Sequence, residues 1–103
     1  MKMAIAIVEP TGDLVYFRKM DDTQYASIKI AQEKAISAAI FRRSTKDFFD
    51  RVAKGDLSPM ALSRAVASAG GVPIAVSGKI IGAIGTSGGA DDPVAQAGAD
   101  ALR

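Results

Sequence analysis

Apolar residues run unbroken from Met3 to Val8, with Met3, Ile5 and Ile7 on one face and Ala4, Ala6 and Val8 on the other. A short continuous run of this kind predicts a strand buried on both faces, with a close neighbour on its small side. Pro10-Thr11-Gly12-Asp13 is a turn cluster, and Leu14 to Met20, rich in Val, Tyr and Phe, reads as a second strand. The connection is short, so the two predict an antiparallel hairpin.

The period then changes. Asp21-Asp22-Thr23 offers N-cap residues for a helix over about 24–41, with Tyr25, Ile28, Gln32, Ala35, Ile36, Ala39 and Ile40 at helical spacing. Ala31, Ala35, Ala38 and Ala39 give that helix a small-residue surface able to approach a sheet closely. Arg42 and Arg43 close it, where cations suit the negative end of the dipole. Ser44-Thr45-Lys46-Asp47 resembles a capping box and predicts a short helix over 45–53, burying Phe48 or Phe49 with Val52. Ser58-Pro59 predicts a further start, with helix over 60–67 and an end at Gly70-Gly71.

Residues 73–76 and 79–86 read as two strands about a Ser77-Gly78 turn. Asp92-Pro93 opens a last helix whose apolar stripe is Val94, Ala97, Gly98, Ala101 and Leu102. Two hairpins around a helical middle predict an α+β fold, an antiparallel sheet with helices packed on it. The two-faced first strand belongs in the centre of that sheet. At 103 residues the chain fits one domain.

Charge adds little direction. Thirteen Lys and Arg stand against eleven Asp and Glu, interspersed, with only 6% aromatics. A nucleic-acid binder would show a basic face and stacking groups, so no nucleic acid is expected as partner. No apolar run reaches membrane-spanning length, and the apolar start is too short for a signal peptide, so no membrane partner and a cytoplasmic location are expected. Cysteine and histidine are both absent, which removes disulfides, thiol chemistry and the commonest metal ligand. No metal-ligand spacing is visible.

Four segments together are specific: residues 6–15 (Ala-Ile-Val-Glu-Pro-Thr-Gly-Asp-Leu-Val), Arg18 to Asp21, Ala31 to Ala35 with Phe41 to Thr45, and Gly70 to Ile74 through Gly82 to Gly88. With them the chain resembles, over essentially its whole length, the GlcG/HbpS-like family of haem-degrading or haem-binding domains, which includes the C-terminal domain of PduO-type proteins. The resemblance implies a profilin-like or PAS-like two-layer sandwich and a higher-order homo-oligomer, octamers being known in the family. It also implies haem or another tetrapyrrole as cofactor for some members. Members usually begin with an amphipathic helix of one to two dozen residues, whereas here the first strand starts almost at Met1, so that helix is expected to be missing. A member that binds haem through His uses a ligand absent here.

The candidate ligand contacts follow from both lines. Gly85-Thr86-Ser87-Gly88 sits between a strand and a helix start, where amides and hydroxyls can receive a carboxylate or phosphate, although turn geometry and packing explain it as well. Gly70 and Gly71 either end a helix or admit a ligand closely. Lys34, alone among alanines, either snorkels to solvent or faces a cleft. Arg42 and Arg43 are helix-end charges that can also grip carboxylates. The remaining haem-iron donors, Met1, Met3, Met20, Met60, Tyr16 and Tyr25, read first as core or interface groups. No nucleophile–base pairing is evident. Three readings stay open: an accessory protein binding a small organic ligand, an enzyme acting on a small hydroxy acid or carbonyl compound, and a structural homo-oligomer without ligand.

Overall fold

A computed structural model describes residues 2–89 and 91–101. The elements in chain order are strands β1 (Ala4–Val8) and β2 (Leu14–Lys19), helices α1 (Ala26–Phe41) and α2 (Thr45–Ala53), a 3-10 turn at Ser58–Ala61, strands β3 (Gly71–Val76) and β4 (Lys79–Ser87), and helix α3 (Asp91–Ala101). The four strands form one antiparallel sheet in the order β2-β1-β4-β3. The fold is therefore α+β. The two hairpins lie side by side with β1 inside, as its two apolar faces require.

The small face of β1 meets α1. Ala4, Ala6, Val8 and Ala83 pack against Ala31, Ala35, Ala38 and Ala39. With no side chain beyond Cβ on most of these residues, helix and sheet come to backbone contact. A Cβ placed on Gly85 would lie 2.1 Å from the Ala31 carbonyl oxygen, and one on Gly71 would lie 2.3 Å from that of Lys34. Glycine is required at both by close approach rather than by a turn. The opposite face carries a second cluster, where Val72, Ile74 and Ile84 take Ala95 and Ala99 of α3, with Ile5 and Ile7 beside them.

Several expectations needed correction. The helical stripe on α1 is rotated. Tyr25 is 84% exposed, and Ile30 and Ile40 reach solvent, while the buried face is Ser27, Ala31, Lys34, Ala35, Ser37, Ala38 and Ala39. The need for close approach outweighed the pull of the larger apolar side chains. The N-cap of α1 is Tyr25 with no side-chain cap, since the Thr23 hydroxyl is spent on the Met3 carbonyl. Ser44 likewise makes no side-chain cap to α2, and Asp47 instead faces Arg43 and Arg51. Phe48 is the buried aromatic of α2, edge-on to Phe41 at 5.4 Å, and Phe49 is half exposed.

The helix expected over 60–67 is only the 3-10 turn, and residues 62–69 are irregular. Arg64 there has φ of 71°, which no helix accommodates. On α3 the buried residues are Ala95 and Ala99, with Gly98 against Ile84, while Ala97 and Ala101 are exposed. Leu102, expected in that stripe, lies outside the described residues. The Ser77-Gly78 turn has φ of 51° and 77°, the positive pair that a tight two-residue hairpin needs.

Candidate functional site

The expected ligand contacts fall into two groups at different places along α1. Lys34 and Arg42 are eight residues apart on that helix, a rise of about 12 Å.

The first group is a closed cluster. Lys34 is 2% exposed. Its Nζ donates to the Thr86 carbonyl at 3.1 Å and to Asp91 Oδ2 at 2.9 Å. The Thr86 hydroxyl donates its one proton to the backbone carbonyl of Asp91, with the Gly70 carbonyl oxygen 3.4 Å away, and the Thr86 amide donates to the Gly70 carbonyl at 2.9 Å. Gly71 donates its amide to Thr45 Oγ1 at 2.9 Å. Ser87 donates to Ser27 Oγ at 3.1 Å, and Gly88 lies against the Lys2 backbone. The Gly89 amide is taken by Asp91 Oδ1 at 2.8 Å.

Asp91 thus supplies, from within the chain, the carboxylate that the Lys34 ammonium and the Gly89 amide hold. A buried ammonium needs such a partner. Asp91 stands at the start of α3. The usable signal was the lone lysine within an alanine surface, which demands a carboxylate without saying which one.

The second group is open. A groove of about 630 Å³ lies between the C-terminal end of α1, the β1–β2 turn and the β3–β4 turn. Its lining is Pro10, Ala39, Ile40, Arg42, Gly78, Lys79 and Ile80. Arg42 ends α1 with φ of 56° and ψ of 39°, the left-handed position that glycine most often fills. Neither Arg42 nor Lys79 forms an ion pair among the described residues. The groove therefore offers an apolar wall and two cations from separate elements. Lys79 was missed in the sequence because only the folded hairpin brings it to Arg42. Arg43 is elsewhere, 3.5 Å from Asp47 and over the Phe48 ring at 5.6 Å. The structure does not bring Lys34, Arg42 and Arg43 together.

No described helix is long and apolar enough to cross a membrane. Among known proteins, the family described as haem degrading protein HbpS-like matches residues 1–101. The chain belongs to the HbpS-like family.

Protein GlcG of Escherichia coli (strain K12) is 40% identical over 85 residues, covering 82% of this chain and 63% of that protein. The HbpS-like chain thus spans less than two thirds of the length of this curated relative. Among solved structures, protein ORFY of Klebsiella pneumoniae superposes with a TM-score of 0.88 at 28% identity, over 98% of this chain and 74% of that one. PduOC, solved as a complex with heme, superposes with a TM-score of 0.85 at 27% identity, over 99% of this chain and 79% of that one.

Proposed function

We propose that this HbpS-like chain is an accessory protein that binds a small amphiphilic organic anion, of which a tetrapyrrole is the leading example, in the groove at the end of α1. One observation carries the reading: the groove joins an apolar wall to two cations that make no ion pair among the described residues, one of them held on left-handed backbone. A residue kept in that conformation at a helix stop costs about 1 kcal/mol relative to glycine. Strain of that kind gathers at functional sites. The volume of about 630 Å³ is within the range of small-molecule sites. A tetrapyrrole presents a flat apolar body and carboxylates at its rim, chemistry that suits a lining of Ile40, Ile80 and Ala39 together with Arg42 and Lys79. The heme complex of PduOC supports the ligand class.

The residues do not fit ligation of the haem iron through the usual donors. Histidine and cysteine are absent from the chain, and no methionine or tyrosine lines the groove. Met3 is fully buried in the sheet, and Tyr16, Tyr25 and Met60 lie exposed elsewhere. Recognition therefore rests on the ring face and the carboxylates.

Titration with haemin and with metal-free protoporphyrin, followed by absorbance and fluorescence, tests this. Both are expected to saturate with similar affinity, within about threefold, since less than about 1 kcal/mol should depend on the metal. Arg42→Gly should weaken both by about tenfold or more, the loss of one charge-assisted contact. The same substitution should raise stability to urea by about 1 kcal/mol, because glycine relieves the left-handed position. Absence of saturable binding by either compound, or binding unchanged by Arg42→Gly, would refute the reading.

A further inference from the structure

The segment after the 3-10 turn is irregular, yet it is pinned. Residues 62–65 form a turn closed by the Ala65 amide on the Leu62 carbonyl at 3.3 Å. Arg64, the third residue of that turn, has φ of 71°, where glycine or asparagine is usual. The next amide, that of Val66, donates to the buried Ser37 hydroxyl of α1 at 3.2 Å. Arg64 is therefore tied to α1 only two residues further along the chain.

On α1, Glu33 precedes Ile36 and Ser37 by three and four residues, so the three share one side of the helix. Between that side and the pinned segment lies a hollow of about 240 Å³, lined by Glu33, Ile36, Arg64, Ala65 and Val66. Ile36 is partly buried against the alanine core, which steadies that wall. Opposite charges share the hollow without meeting. Neither Glu33 nor Arg64 forms an ion pair among the described residues.

We propose that this hollow binds a small zwitterion, an aliphatic α-amino acid. The ligand carboxylate pairs with Arg64, whose planar fork suits that group. The ligand ammonium pairs with Glu33, and the aliphatic side chain lies against Ile36, Ala65 and Val66. Simpler ions fit less well. A plain carboxylate gains Arg64 but meets repulsion from Glu33, and a plain amine meets the reverse. Only a ligand carrying both charges satisfies both groups. Size agrees: at about 30 Å³ per water the hollow holds roughly eight waters, close to the non-hydrogen atoms of valine or leucine. That space is too small for a tetrapyrrole. The hollow shares no lining residue with the groove at the end of α1, and the proposal stands whether or not a ligand binds there.

Two-dimensional NMR of the full chain tests this, with L-valine as the probe. L-valine should shift the amides of Ala65 and Val66 and the Ile36 methyls saturably, leaving those of Ile80 in place. Isovalerate, which lacks the ammonium, and isobutylamine, which lacks the carboxylate, should each bind about tenfold or more weakly, the loss of one charge-assisted contact. Glu33 and Arg64 are both exposed, so either can be changed without touching the core. Arg64→Gln should weaken L-valine by a similar factor. Glu33→Gln should weaken L-valine yet strengthen isovalerate, because the repelling charge is gone. A merely structural role for Glu33 would not move the two ligands in opposite directions. The proposal is overturned if L-valine gives no saturable shift at Ala65 and Val66. It is equally overturned if isovalerate binds the unsubstituted chain as well as L-valine does, or if Glu33→Gln leaves their ratio unchanged.

Discussion

Gly85→Ala is expected to lower the unfolding free energy by about 3 kcal/mol or more, the upper range for forcing extra volume into a packed core. The added carbon would lie 2.1 Å from the Ala31 carbonyl oxygen and 2.5 Å from the Ala35 nitrogen. Both are backbone atoms of α1, so no rotamer change relieves the clash. The helix must lift as a unit, and lifting it opens the seam formed by Ala31, Ala35 and Ala38 against β1 and β4. Gly89→Ala is the control, because among the described residues nothing beyond its chain neighbours lies within 4 Å of its new carbon. It should fall within about 0.5 kcal/mol of the parent, as surface changes do. Urea denaturation of the two variants side by side measures the difference. Similar midpoints would mean that α1 does not rest on β4 in this way.

Lys34→Ala is the second large effect, expected to cost about 3 kcal/mol, the lower end for breaking a buried ion pair from one side. Three elements lose a common partner at once, since the ammonium holds Asp91 at the start of α3 and the Thr86 carbonyl of β4 from its seat on α1. Asp91 is about one-fifth exposed, and water there softens the loss. Asp91→Ala should cost a comparable amount, by leaving the ammonium unpaired. The double variant should cost less than the sum by about 1 to 3 kcal/mol, the coupling of residues in direct contact. A double-mutant cycle by chemical denaturation reads that coupling. Strict additivity would show that the pair does not hold the two helices to the sheet. The coupling should also persist in high salt, which screens surface pairs far more than buried ones.

The sheet was legible because strand signals are local. The apolar run of β1, the alternate sizes on its two faces and the Ser77-Gly78 turn each act within a few residues. Together they place the hairpins and put β1 inside. The alanines of α1 announced a close contact correctly. The rotation of that helix was not legible, because Tyr25, Ile28 and Ile40 compete with alanines for the buried face on hydrophobicity alone. What decides is the distance between helix and strand backbones, and that depends on Gly85, fifty residues away from the middle of the helix.

The caps failed for a similar reason. Thr23 and Ser44 have the chemistry to cap, but Thr23 finds the Met3 carbonyl instead, a tertiary partner invisible to a local rule. Candidate site residues divide in the same way. Lys34 stood out among the alanines of its helix, while Arg42 read with Arg43 as a helix-end charge. The acid that occupies Lys34 and the second cation beside Arg42 come from elements 57 and 37 positions further along, joined only by folding.

The proline on β3 and the threonine hydroxyl beside it have a consequence for what the chain does at high concentration. A sheet open at both edges can recruit copies without limit and grow into a fibril. Here β3 is an edge strand on which Pro73 has no N–H to offer and Gly71 has already given its own to Thr45. Replacing Pro73 would therefore remove a stopper on polymerisation, an effect distinct from any change in the stability of the monomer.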